Sequence, residues 1–240
     1  DETLSVLAGA DIETVGAGRT LAAASTPTAV DCRGLTVAVV AFADATATSD
    51  GSDAETAATP NRPGIARVEL DADNAASTAA LRSALTATER FDPDLVVASL
   101  RWGSPSHPQP TARHQRVARQ LAEMGVDLVV GHGGDSFRGV ELLNQGDSPT
   151  VVCYDLGNFV DDYTVDSADR NGRSFLFELV VDGDGQLLEL VLHPTEIESR
   201  AVYEASDRGA AWSRQTMIDR SEPFEAAFER VGKGLGISLV

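Results

Sequence analysis

The sequence predicts an α/β fold, and three observations carry that prediction. Two apolar runs of strand length, Asp94-Leu-Val-Val-Ala-Ser-Leu100 and Asp127-Leu-Val-Val-Gly131, are separated by a stretch with helical spacing. A third run, Pro149-Thr-Val-Val-Cys-Tyr154, follows a hairpin signal. Each run ends in a polar loop: Arg101-Trp-Gly103, His132-Gly-Gly-Asp135 and Asp155-Leu-Gly-Asn-Phe-Val160. Open α/β sheets place ligands at the carboxyl ends of strands, so three such loops point to one site.

The elements follow in order. Residues 3–9 read as the end of a helix, Ile12–Val15 as a short strand before the turn Gly16-Ala-Gly18, and Arg19–Ala24 as a short helix. Thr28–Cys32 and Leu35–Phe42 flank Arg33-Gly34 as a hairpin. Residues 44–63, rich in Asp, Thr, Ala and Ser, lack periodicity and are expected to form a mobile loop. Asn74–Arg90 has helical spacing through Leu81 and Leu85, and Asp92-Pro93 stops it. Residues 111–124 carry Val117, Ala118, Leu121 and Met124 on one helical face, with Gly125 as C-cap. The resulting strand–helix–strand unit implies parallel pairing. Val140–Leu143 and Thr150–Tyr154 flank one hairpin turn, and Phe175–Val181 and Leu187–Leu192 flank Asp182-Gly-Asp-Gly185. Residues 210–231 read as one or two closing helices.

The 240 residues fit a single domain with a substantial core. Nineteen basic residues face thirty-seven acidic ones, giving a net charge of −18, and Lys233 is the one lysine. Such a surface suits concentrated salt, where self-repulsion is screened; a plain acidic protein is the alternative. The charge argues against nucleic-acid partners, which need basic patches, and against anionic membrane surfaces. No apolar run approaches the roughly 20 residues of a membrane span, and no signal-peptide pattern is present. A chain opening on Asp1 reads as processed or as a fragment. Cys32 and Cys153, without CxxC spacing, read as buried thiols, which lean towards the cytoplasm; a disulfide or a nucleophile are the other readings. Walker, dinucleotide and G-x-S-x-G motifs are lacking.

The runs DLVVASLRWG, RQLAEMGVDLVVGHGGDSFRGVELL and VVCYDLGNFV resemble the CapA family of poly-γ-glutamate capsule-synthesis proteins. Val15-Gly-Ala-Gly-Arg19 with Ala22–Ala24 extends the likeness, and Phe42-Ala-Asp44 and Arg62-Pro-Gly64 match more weakly. The resemblance covers most of residues 1–200. It implies a metallophosphatase-like α/β/β/α sandwich, lacking its first strands and helices, because the family's upstream Gly-Asp, Asn-Leu-Glu and Asn-Asn-His motifs precede residue 1. It implies metal-assisted hydrolysis in capsule metabolism, with a divalent metal (Mn, Zn or Fe) unless the substitutions have removed it.

Those substitutions fall in the site. The family's His-Trp-Gly is Arg101-Trp-Gly here, and its Gly-His-His-Pro-His is Gly131-His-Gly-Gly-Asp135. By resemblance, His132 and Asp135 are metal ligands, and Asp155 and Asn158 lie by the substrate. Arg101 offers only donors and cannot ligate a metal. It either grips phosphate or carboxylate bidentately, taking a catalytic or substrate-binding part with His132, or pairs with Asp135 or Asp155. Trp102 either stacks on substrate or anchors the core. His132 alone reads as a structural hydrogen-bonder; its Gly-His-Gly-Gly-Asp context points to a site. His107, His114 and His193 show no ligand spacing. Two functions stand: a capsule-synthesis protein with a hydrolase-derived, degenerate site, or a non-catalytic binding or assembly protein. The partners expected are an anionic small molecule or polymer and a capsule-synthesis protein.

Overall fold

The computed structural model describes residues 2–46, 56–103, 108–145, 148–160 and 171–240. Residues 47–55 of the loop expected to be mobile, His107, and the Asp161-Asp162 pair lie outside the described residues. The fold is mixed α/β with several sheets. The chain divides into two compact units, Asp1–Trp102 with Ala112–Val129, and Gly103–Thr111 with Val130–Val240.

The first unit opens with α1 (Glu2–Gly9), β1 (Ala17–Gly18) and α2 (Leu21–Ala24). The strand expected at Ile12–Val15 does not form; pairing starts only past its expected end, at β1. Two glycines explain the shift. Gly16 takes φ +81, and a Cβ on Gly18 would lie 2.4 Å from the Ala24 nitrogen, so β1 is placed by close backbone approach to α2. β2 (Thr28–Cys32) and β3 (Leu35–Asp44) form the expected antiparallel hairpin, from Thr28↔Val39 to Cys32↔Leu35. Arg33 and Gly34 both have positive φ, 57° and 93°, as a two-residue type I′ turn requires. Cys32 beside this turn is exposed, against the expectation of burial, because β2 turns its last three residues to solvent.

β4 (Gly64–Ile65) pairs antiparallel with β1, and β5 (Arg67–Val68) parallel with the end of β3. In α3 (Ala75–Thr86) the Asn74 side chain caps the start, accepting from the Ala76 and Ser77 amides. β6 (Leu95–Arg101) runs parallel to β3, from Val37↔Leu95 to Ala43↔Arg101. α4 (Ala112–Glu123) buries Val117, Ala118 and Leu121 of the predicted face, together with His114 and Ala122; Met124 lies past its end, half-buried, and Gly125 at φ +87 follows. Gln120 on α4 donates to Thr78 on α3 at 2.9 Å.

The two Asp-Leu-Val-Val runs share one device. Asp94 Oδ2 accepts from the Thr36 amide at 2.7 Å, and the Asp94 amide returns to the Thr36 carbonyl at 2.9 Å. Asp127 does the same to Val96, at 2.7 Å and 3.0 Å. Each aspartate thus ties the start of its own strand to the first residues of a neighbour. That fixes register where a one-residue slip would turn every side chain to the wrong face.

β7 (Leu128–His132) carries the chain into the second unit. There β8 (Val140–Gln145) and β9 (Ser148–Cys153) form an antiparallel hairpin. β10 (Arg173–Val181) and β11 (Leu187–Glu198) form a longer one. In its turn Asp182 Oδ1 accepts from the Asp184 and Gln186 amides, both at 2.9 Å, so this acid is a turn former. β12 (Ala201–Glu204) pairs with β11, and α5 (Asp207–Ser221) packs on β8, β10, β11 and β14 (Gly234–Ser238). β13 (Glu229–Val231) and β14 complete the sheet in the order β10-β11-β14-β13. Helix was expected through residue 231. Residues 229–231 instead pair with β14 across the two-residue turn Gly232-Lys233, a tight hairpin that Gly232 permits at φ +56. Phe175, Leu187, Leu190, Leu192, Met217, Leu235 and Ile237 form this unit's core.

Candidate functional site

In the first unit, Arg101 is the last residue of β6 and half-buried. Its register partner is Ala43, one residue before the buried Asp44, so both strands reach the same carboxyl edge. Trp102 follows and is 1 % exposed, with its ring stacked on His114 at 5.1 Å and 29°. The structure therefore places Trp102 in the core. Asp44 is held by Arg113, at 3.4 Å, and accepts from the Thr46 amide at 3.0 Å.

In the second unit, the loop after β7 runs beside residues 154–157. The Gly103 amide donates to the His132 carbonyl at 3.0 Å, and the Leu156 amide to the Gly131 carbonyl at 3.0 Å. The Arg138 amide donates to the Asp155 carbonyl at 2.9 Å, and the Tyr154 amide to the Gly139 carbonyl at 3.2 Å. These bonds bring His132, Asp135, Asp155 and Asn158 onto neighbouring segments. His132 and Asn158 are half-buried, and Asp135 is exposed with φ +60.

Asp155 is wholly buried. Its Oδ1 accepts from the Gly157 amide at 3.0 Å, an Asx turn that uses Gly157 at φ +72. Its Oδ2 has no hydrogen-bond partner among the described residues. A Cβ on Gly103 would lie 2.4 Å from that oxygen, and one on Gly134 2.5 Å. The glycines of the loops thus admit a carboxylate of the chain itself. Burial raises the Asp155 pKa, and the Gly157 amide and the charge of Arg138 oppose the rise.

Sequence reasoning missed two arginines. Arg138 is 1 % exposed; burial pulls its pKa down and Asp155 pulls it back. Arg220, on α5, donates through Nη1 to Ser136 Oγ at 2.9 Å and to the Phe137 carbonyl. Burial and the like charge of Arg138 depress the Arg220 pKa. Its guanidinium lies 5.0 Å over the Phe137 ring, and that fully buried ring meets Phe175 and Trp212 edge-on at 5.0 Å and 6.0 Å. An arginine set between Phe137 and the Gly139-Val140 strand start was the one available signal for Arg138. Nothing local marks Arg220.

Among the described residues no group of three or more His, Cys, Asp or Glu side chains is placed to hold a metal ion. An open metal site takes about three protein ligands. His132 and Asp135 supply two such donors among the described residues. The loops offer instead an exposed carboxylate, a half-buried imidazole and an amide side chain on a firmly hydrogen-bonded frame.

A family model described as bacterial capsule synthesis protein PGA_cap matches residues 1–163. The chain is 28% identical over 246 aligned positions to a probable polyglutamine synthesis accessory protein of Mycobacterium tuberculosis, covering 100% of the chain and 59% of that protein. It is 25% identical over 229 positions to the capsule biosynthesis protein CapA of Bacillus anthracis, covering 89% and 51%. With the PGA biosynthesis protein CapA of Bacillus subtilis the figures are 30% over 162 positions, covering 67% and 38%. The chain thus spans between 38% and 59% of the length of these relatives.

Proposed function

The chain belongs to the bacterial capsule synthesis protein family PGA_cap, and from that premise we propose that it engages an anionic capsule polymer of the poly-γ-glutamate type. One observation carries the reading: the matched residues 1–163 include all three polar loops, 101–103, 132–135 and 155–158. In this reading Arg101 of the first unit grips a carboxylate of the polymer, His132 and Asn158 of the second unit each offer the polymer a hydrogen bond, and Asp155 holds the glycine loop in shape. A capsule-synthesis protein is the partner to which the polymer would pass.

Two versions of this reading differ in chemistry. In one, the site cuts the polymer with a divalent metal whose ligands include His132 and Asp135. In the other, it binds and hands on the polymer without cutting. The second is supported by Arg101 standing where the resembling family has a histidine donor, and by the lack of a three-donor group among the described residues. No helix among the described residues is long and apolar enough to cross a membrane. A cytoplasmic location is part of the same proposal and rests on the free thiols Cys32 and Cys153; cell fractionation tests it.

The decisive experiment titrates fluorescent poly-γ-glutamate with the chain in concentrated KCl, with and without Mn²⁺ or Zn²⁺, reading anisotropy and polymer length together. Binding weakened about tenfold by Arg101→Ala, a typical loss for a charge-assisted hydrogen bond, is the expected result. Shortened polymer with wild type and none with His132→Ala establishes the cutting version. No binding by the folded wild type ends the proposal.

A further inference from the structure

The last turn of α5 holds the loop that carries His132 and Asp135. Arg220 Nη1 donates to Ser136 Oγ at 2.9 Å and to the Phe137 carbonyl, while its guanidinium covers the Phe137 ring at 5.0 Å. The next residue acts on the other side: the Val140 amide donates to Ser221 Oγ at 3.0 Å. Between them the backbones touch. A Cβ on Gly139 would lie 2.2 Å from the Arg220 carbonyl oxygen, so only glycine admits the helix this close. Ser221 Oγ also reaches Met217 Sδ, one turn earlier, at 3.5 Å, and nearer the start of the helix Trp212 lies edge-on to Phe137 at 6.0 Å. Residues 136–140 are therefore gripped at a side chain, two backbone groups and a ring, all by one helix. The grip passes on, because the Arg138 amide donates to the Asp155 carbonyl at 2.9 Å.

α5 lies outside residues 1–163, the segment that the family model matches. We propose that Arg220 is a positioning residue, through which the C-terminal part of the chain sets the conformation of the His132–Asp135 loop. Its functional meaning rests on the polymer-site reading above; its structural content does not. A guanidinium suits the task because one of its nitrogens can donate to Ser136 Oγ and the Phe137 carbonyl while its charge lies over the ring.

The test compares wild type, Arg220→Met and Arg220→Lys in the 240-residue chain. Methionine keeps a stem of similar length to pack on Phe137 but removes both donations. Lysine keeps a donor for the Phe137 carbonyl. Amide hydrogen exchange is read by NMR at Arg138 and Leu156, which report the loop, and at Phe177 and Leu190, which report the β10–β11 sheet. Arg220→Met is expected to speed exchange at Arg138 and Leu156 by about tenfold with the sheet amides unchanged, and Arg220→Lys to restore most of the protection. Unchanged loop amides, an equal rise at loop and sheet, or methionine protecting as well as lysine each overturns the proposal. Poly-γ-glutamate titration of the same three proteins separates the two claims. A wild type that does not bind removes the polymer reading and leaves the exchange result to decide the role of Arg220.

Discussion

Arg138 and Asp155 are joined twice, through the amide of one and the carbonyl of the other at 2.9 Å, and through their opposite charges in a buried setting. The backbone bond brings the 132–139 loop and the 155–158 segment together. Both side chains are buried there, and the charge of each favours the ionised form of the other, so removing either leaves its neighbour less compensated.

Removing one partner should expose that cost. Arg138→Leu leaves Asp155 buried beside a weaker set of partners and is expected to destabilise the second unit by about 3–5 kcal/mol. Asp155→Asn keeps an acceptor for the Gly157 amide and should cost less. Urea unfolding followed through tryptophan fluorescence reads both, and equal stability of Arg138→Leu and wild type would count against the buried pair.

Asp127 gives the pH prediction. Burial raises its pKa above 3.8, with the Val96 amide only partly opposing the rise. A carboxyl whose folded pKa is raised contributes stability that is fully present below the unfolded value and is lost as pH rises through the folded one. The stability of wild type minus that of Asp127→Asn should therefore fall as pH climbs from about 3 towards 7. Urea midpoints measured at intervals across that range check it. A difference that rises with pH, or stays flat, contradicts the burial argument.

The two thiols should behave differently. Cys32 is exposed, whereas burial pushes the Cys153 thiol up to about 12. A disulfide reagent at neutral pH is expected to modify Cys32 in the native chain and to reach Cys153 only in denaturant. Rapid native labelling of both would mean that β9 is open to solvent.

The net charge of −18 predicts salt-strengthened folding. Raising KCl from about 0.1 M to 2 M screens repulsion between acidic side chains and should lift the melting temperature by several degrees. Calorimetry in KCl reads this directly. A melting temperature independent of salt would leave the acidity without a role in stability.

The sequence carried much of the fold because its signals are short-range. The Arg33-Gly34 turn, the apolar face of α4 and the Asp182 turn each depend on residues a few positions apart. Their structures follow the expectation. Where neighbours in space decided, local reading missed: β1 forms at Ala17–Gly18 because it pairs with Gly64–Ile65, far along the chain. The strand at 229–231 is different, a short-range hairpin on Gly232-Lys233 that the reading as helix passed over. The candidate site divides the same way. His132, Asp135, Asp155 and Asn158 were legible as strand-end motifs; the backbone bonds that join residues 131–139 to 154–156 were not.

By itself, then, the sequence determined the α/β class, the hairpins, the acidic surface and the family to which the three polar loops belong. Only the tertiary structure decided what those loops rest on. It buried Asp155 under Gly103 and Gly134, put Trp102 in the core on His114, and brought Arg220 to Ser136 across 84 residues of chain. The physical reason is reach. Turn chemistry and helical periodicity act between residues a few positions apart and leave a pattern in the sequence. A single guanidinium meeting a distant carbonyl leaves no periodic trace and is fixed only when the helix and the loop pack together.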